Sequence, residues 1–179
     1  MLKALGLLMA GQCAEAMPLL DEAVLLVPEY PDVFYERASC YASLLQNQRH
    51  LGENLSNIYA GLADIERAIA LRPDRGDYYA TRGLLYWNWA GLQELTVNRN
   101  VLYNVAIDNL KAASALGITL NYPLEATTIS ALVESGQCEE ALARSEAFLE
   151  VSKPVTSHYT DVQVMQVRAY MCLERLSEA

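Results

Sequence analysis

The chain has 179 residues, of which 53% are hydrophobic and 20% charged, so it can bury a core and is not a disordered chain. Its formal net charge of −9 argues against a nucleic-acid binder and against docking on an anionic membrane. No segment approaches the roughly 20 consecutive apolar residues of a membrane span. These properties predict a neutral or basic protein partner, with no nucleic acid and no membrane.

The first predicted element is an apolar stretch that begins at the N-terminus and ends before Gly11. We interpret it as half of a helical hairpin. The apolar region of a short signal peptide is the alternative, because a lysine precedes it. Glycine closes this first helix, and a second helix then runs to Pro28, which stops it. Near the other end, Gly136-Gln-Cys repeats Gly11-Gln-Cys, and Pro154 takes the place of Pro28. Where such a proline is absent, Gly117 is the expected stop of the helix before it.

The middle of the chain repeats itself at a distance of 45 residues. The phrase at 32–41 (DVFYERASCY) recurs at 77–86 (DYYATRGLLY), and the phrase at 63–71 aligns without a gap on 108–116. A fixed period of this size indicates stacked units, each of which is unable to bury its apolar face alone.

Small residues recur at set places in these helices, with large apolar residues and terminal prolines around them. The small set is Ala16, Ala38, Ala68, Gly83, Ala113 and Ala141. This pattern resembles the tetratricopeptide repeat (TPR) family over nearly the whole chain. The resemblance implies an all-α fold, a right-handed α-α superhelix or solenoid of stacked helix-turn-helix repeats. We predict a single array over 1–179, with units near 1–28, 31–73, 76–118 and 121–154 and a partial unit at 157–179.

Units two and three are each 11 residues longer than a usual TPR unit, near 46–56 and 91–101. Apolar spacing predicts that the second helix of unit two extends backwards through its insertion. In unit three, the spacing of Trp87, Trp89, Leu92 and Leu95 predicts a longer first helix, and Asn98 or Asn100 is the expected cap of the next one. We therefore expect two long hairpins that pack on each other. The alternative is that the insertions have no regular structure.

The chemistry-bearing residues predict no enzyme, no metal and no cofactor. Cys13, Cys40, Cys138 and Cys172 form no C-x-x-C pair and lie far in sequence from both histidines. We therefore expect reduced, buried thiols. The carboxylates are expected on solvated helix faces. Arg37 and Arg82 hold equivalent places and are expected to bridge to neighbouring helices, with recognition of an acidic ligand group as the alternative.

The resemblance to TPR arrays implies that the first helices line a concave groove for a peptide or partner helix. The candidate partner-binding residues placed there are Tyr35, Ser39, Ser43, Asp77, Leu84, Trp87, Asn88, Ser130 and Glu134. The expected function is a protein–protein interaction scaffold within a larger protein or complex. A self-association or structural module is one alternative, and a ligand-sensing or enzyme-associated domain is the second.

Both ends of the array are expected to expose apolar faces, because it begins inside one first helix and finishes just after another. Either the natural chain continues, or the ends pair with another copy to form a homo-oligomer. The absence of a clear targeting signal favours the cytoplasm, and a secreted or periplasmic location stays open as an alternative.

Overall fold

The computed structural model describes residues 2–45, 51–119, 122–151 and 157–177, and in these ranges the regular structure is entirely helical. In chain order the helices are α1 (Leu2–Met9), α2 (Cys13–Leu26), α3 (Pro31–Leu45), α4 (Leu51–Leu71), α5 (Gly76–Gly91), α6 (Thr96–Ala115), α7 (Tyr122–Glu134), α8 (Cys138–Val151) and α9 (Ser157–Ser177). They pack as hairpins α1/α2, α3/α4, α5/α6 and α7/α8, with α9 against α7 and α8. This is the predicted all-α solenoid.

The first helices of successive hairpins form one layer. Helix α3 contacts α5, α5 contacts α7, and α7 contacts α9. Helix α1 is the exception, because within the described residues it packs on α2 and makes no comparable approach to α3. The layer is therefore closed from α3 onwards and open between α1 and α3.

Glycines end three of the helices, as the sequence predicts. Gly11, Gly117 and Gly136 have positive φ angles of 70°, 87° and 81°, which a residue without Cβ adopts at no steric cost. The next residue then donates its N–H to a carbonyl five positions earlier, as from Gln137 to Leu132 at 2.8 Å. The predicted stop at Pro154 lies outside the described residues.

One long helix was predicted correctly and the other was not. Helix α4 has 21 residues and starts at Leu51, so it does extend backwards into its insertion; residues 46–50 lie outside the described part. Helix α5, however, ends at Gly91, and α6 begins at Thr96, with Leu95 extended before it. The predicted extension through Leu95 and the caps at Asn98 or Asn100 are therefore wrong. The prediction was wrong because the apolar spacing continues past Gly91, whereas the low helix propensity of this glycine favours the end of the helix there.

The two long hairpins pack on each other, as expected. The Tyr59 ring of α4 meets the Trp89 ring of α5 edge to face, with centroids 5.4 Å apart. Ile58 and Leu85 are fully buried in the same core cluster. Side chains rather than an open space fill this junction.

Small residues lie where helices cross closely. Ala16, Ala38, Ala68, Ala113 and Ala141 have no exposed surface. Gly83 of α5 faces α6, where an added Cβ would lie 3.0 Å from Leu110 Cγ and 3.2 Å from the carbonyl oxygen of Ala106. The α5–α6 separation thus depends on a side chain being absent.

Replacing this glycine tests that dependence. Gly83→Ala is expected to lower the free energy of unfolding by about 1–2 kcal/mol, because overpacking against a fixed backbone exceeds the gain in helix propensity. Gly6→Ala is the matched control, since its Cβ would meet nothing within 4 Å. Denaturant unfolding measures both variants. An equal change in the free energy of unfolding in both variants would contradict the close crossing of α5 and α6.

Candidate functional site

A partly open cavity of about 290 Å³ lies in the gap between α1 and α3. One side is apolar and comes from α1 and α2. The other is mostly polar and comes from α3 and from the residues just before α3 and α5. The lining residues are Ala4, Leu5, Leu8 and Leu20 on the apolar side, and Tyr30, Asp32, Val33, Tyr35, Glu36 and Arg75 opposite. Of the predicted partner-binding residues, Tyr35 is the one that lines this cavity.

Two of the carboxylates in and beside the cavity already have partners. The Arg75 guanidinium donates to both Asp77 oxygens, with Nε 3.0 Å from Oδ1, and its Nη1 lies 3.7 Å from Asp32 Oδ1. Asp32 also accepts a hydrogen bond from the Tyr78 hydroxyl and lies 3.6 Å from Arg72. Internal hydrogen bonds and ion pairs therefore satisfy Asp32 and Asp77.

Glu36 differs from these two acids. No hydrogen bond or ion pair joins its carboxylate to another described residue. Burial raises the pKa of Glu36, and the neighbouring negative charges of Asp32 and Asp77 raise it further. The cavity thus contains a half-buried carboxylate that has no cationic partner among the described residues.

Tyr35 forms the aromatic part of the polar side. Its ring lies 5.1 Å from the Tyr78 ring, and it shares the cavity with Glu36. Burial raises the pKa of Tyr35, followed by the charges of Asp77 and Glu36, so its hydroxyl stays protonated at neutral pH. The side chain offers a flat apolar face beside an uncharged hydroxyl.

The other predicted residues are distributed along the first helices. Ser43 lines a second cavity, of about 240 Å³, at the α1–α2 turn rather than the one beside Tyr35. Asn88 donates to the Leu84 carbonyl of its own helix at 2.8 Å, and Glu134 is paired with Arg168 of α9. Ser39, Leu84 and Ser130 are half-buried. The structure does not bring the predicted set into one pocket.

The two tryptophans of α5 enter different cores. Trp89 packs with Tyr59 and Tyr86 against the core cluster of α3, α4 and α5. Trp87 packs against a second cluster, built mainly from α6, α7, α8 and α9, and its indole N–H is buried without an acceptor in the described structure. An alanine at Trp87 would therefore disturb packing as well as any groove contact.

Sequence reasoning missed most of the cavity. Asp32, Tyr35, Glu36, Ser39 and Ser43 follow the spacing of one helix face, so the acids could have been found beside the predicted residues. No sequence pattern marks the apolar wall from α1. The predicted groove residues begin in unit two, and the gap between α1 and α3 arises only from how these helices pack.

The two equivalent arginines act as bridges between helices. Arg37 of α3 donates to both oxygens of Asp64 in α4, at 2.7 Å each, and to Asp21 of α2 at 2.9 Å. Arg82 of α5 repeats this 45 residues later, with Asn109 at 2.6 Å and Glu66 at 2.8 Å. Each arginine joins its own hairpin to the preceding one, so neither is free to bind an acidic ligand.

The described residues were also compared with the requirements of a metal site and of a membrane-spanning helix. Within the described ranges, no cluster of three or more His, Cys, Asp or Glu side chains could hold a metal ion. None of the helices described combines the length and the hydropathy that crossing a bilayer requires.

Comparisons with known proteins bear on the architecture. No protein-family model matches the chain, and no curated protein matches it. Among solved structures, it is similar to a thermophilic TPR protein of Thermus thermophilus, at 20% identity and a TM-score of 0.67. The similarity covers 94% of this chain and 78% of that one. At this identity the likeness shows the fold: the chain has the architecture of a TPR helical-repeat protein, as its sequence pattern indicates.

The arginine bridges allow a matched comparison. Arg37→Met is expected to cost about 3 kcal/mol of stability, because it leaves the buried Asp64 carboxylate, 5% exposed, without its partner. Arg82→Met is expected to cost about 1–2 kcal/mol, since the partner it leaves, Asn109, is neutral. Urea unfolding of both variants measures the difference. Asp64→Asn added to Arg37→Met should recover part of the loss, and no recovery would contradict the charge argument.

Proposed function

We propose that the chain is a non-enzymatic scaffold whose layer of first helices binds an extended or helical segment of a protein partner. The observation that carries the proposal is the cavity between α1 and α3, where an apolar wall faces the unpaired carboxylate of Glu36. This arrangement suits a lysine or arginine of the partner, whose aliphatic stem can lie on Leu5 and Leu8 while its charged end reaches Glu36.

The rest of the molecule is consistent with a basic partner segment. The net charge of −9 attracts cationic segments over distances of about a Debye length and raises their association rate. From the cavity, a segment could continue along α3, α5 and α7. There we propose contacts with Tyr35, Ser39, Asp77, Leu84, Trp87, Asn88, Ser130 and Glu134, with Ser43 beside the neighbouring turn.

A peptide selection tests this function. Short random peptides displayed on phage are selected on the whole chain, and the enriched sequences are expected to combine lysine or arginine with an adjacent large apolar residue. Glu36→Gln should weaken the enriched peptides about fivefold, which corresponds to about 1 kcal/mol, as measured by fluorescence anisotropy. Glu139→Gln is the matched control, because it removes the same charge from the exposed start of α8. Enriched peptides without basic residues, or equal loss in both variants, would overturn the assignment.

The pH dependence of binding gives a further check. A bound cation favours the charged form of Glu36, whose pKa is raised in the free protein, so affinity should rise with pH through that pKa and then level off. Affinity is expected to be weaker at about pH 5 than at about pH 7. Isothermal titration with wild type and Glu36→Gln measures it. An equally steep rise in Glu36→Gln would assign the titration to another group.

Self-association is a second candidate, favoured by the surface of α9. Val164, Val167, Tyr170 and Met171 lie within two turns of this helix, and each is about half exposed. Such a face is normally covered by a following helix, and a second copy of the chain could cover it. The ligand-sensing alternative is less favoured, since side chains fill the junction between the long hairpins.

Light scattering over a concentration series tests this second candidate. Association is expected in wild type and is expected to be lost in Val167→Glu, because a charge would be buried in the contact. Val97→Glu, an exposed valine of α6, is the matched control. A wild-type monomer at every concentration would count against association through α9.

A further inference from the structure

The four cysteines lie in two pairs rather than as separate thiols. Cys13, the first residue of α2, is bonded to Cys40 of α3, and Cys138, the first residue of α8, is bonded to Cys172 of α9. The Cα–Cα distances are 5.1 Å and 5.8 Å, within the range that a disulfide spans. The two bonds account for all four cysteines of the chain. The sequence prediction of reduced thiols is thus wrong, because the pairs form between helices that are far apart in sequence, and no local spacing marks them.

Both bonds have the same topology. Each joins the residue after a Gly-Gln turn, at the start of a hairpin's second helix, to the helix that follows that hairpin. One bond lies at the first hairpin junction and the other at the last. Of the three ways to pair four cysteines, the structure has the one in which each bond connects neighbouring elements of the array.

The equivalent positions in the next unit hold apolar side chains where the first bond has its two cysteines. With the 45-residue period, Cys13 corresponds to Ile58 and Cys40 to Leu85. Ile58 and Leu85 are fully buried in a described cluster of nine buried residues, whereas the cluster around Cys40 has four. At the first bond, a covalent link therefore joins helices whose shared apolar cluster is smaller than the cluster at the equivalent place in the next unit.

We propose that these cysteines are oxidised in a compartment outside the cytoplasm, and that the two disulfides staple α2 to α3 and α8 to α9. Each pair of thiols loses two electrons and two protons as its S–S bond forms. The disulfide form of a thiol–disulfide oxidoreductase accepts them and becomes a dithiol. Such bonds persist in secreted and periplasmic proteins and are rare in the cytosol.

The composition of the chain differs from that of the cytosolic proteins that do contain disulfides. Disulfide-rich intracellular proteins occur in hyperthermophiles, whose proteins are also enriched in lysine and glutamate. This chain has 20% charged residues and three lysines, below the usual charged fraction of about 25%. The disulfides therefore indicate export rather than adaptation of a cytosolic protein to heat. On this proposal the protein takes the secreted or periplasmic alternative in place of the expected cytoplasm.

Trapping the thiols in cells tests the proposal on the whole, unaltered protein. Cells of the natural producer are quenched with acid, denatured, and treated with a polyethylene-glycol maleimide before and after reduction. A blot should show no shift before reduction, a shift of four additions after it, and the protein in the exported fraction. A shift before reduction, or recovery in the cytoplasmic fraction, overturns the proposal.

Mapping checks the pairing independently. Trypsin cuts after Arg37, Arg144 and Arg168, so each bond should join two distinct peptides in the unreduced digest. Linked peptides that contain Cys13 with Cys40, and Cys138 with Cys172, are expected. Any other linkage, or four peptides with free thiols, overturns the assignment.

Thermal unfolding tests the stapling role. A reductant should lower the unfolding temperature of wild type by roughly 10–30 °C, since two bonds close loops of 27 and 34 residues. Cys13→Ala with Cys40→Ala, and Cys138→Ala with Cys172→Ala, should each show part of this loss. The variant with all four alanines is the control and should not respond to reductant. A wild type whose unfolding is insensitive to reductant contradicts stapling.

Discussion

The close approach of helices at small residues is the constraint on which the rest of this structure depends. Alanine at 16, 38, 68, 113 and 141 is buried without exposed surface, and a methyl group added at Gly83 would force its neighbours in α6 to shift. Hairpins that cross this closely bring their larger side chains into shared clusters. They also bring polar groups of three helices within hydrogen-bond distance, and this is why one arginine, Arg37 or Arg82, can tie two hairpins together.

The same constraint explains why the layer of first helices has an opening at one end. From α3 onwards each first helix contacts the next. Helix α1 has eight residues, packs on α2, and does not close against α3 in the described structure. A wall of leucines therefore remains opposite the acidic face of α3. The cavity lies at the place in the described layer where the contact between successive first helices is missing, between α1 and α3.

The features that the sequence predicts correctly are those that depend on residues close together in the chain. The all-α repeat, the glycine stops at Gly11, Gly117 and Gly136, and the long α4 follow from residue types that act within one turn or one helix face. The α5–α6 boundary was misjudged because apolar periodicity and a helix-terminating glycine disagree at Gly91. The disulfides and the cavity were missed because both join residues from different hairpins, and the spacing of one hairpin against another leaves no periodic signal in a single sequence.

The first disulfide and the proposed binding cavity belong to one structural unit. Cys40 is buried in a cluster with Ala4 and Leu20, and Leu8 packs against that cluster. All three apolar residues also line the cavity. The bond from Cys13 to Cys40 fixes the start of α2 on α3, and α2 in turn supports α1, whose leucines form the apolar wall. The distance between that wall and Glu36 thus depends on a covalent link rather than on the direct helix contact that sets it elsewhere in the layer. Recognition at this end and oxidation of its cysteine pair are therefore physically connected, whereas the bond at α8 and α9 lies at the opposite end of the array.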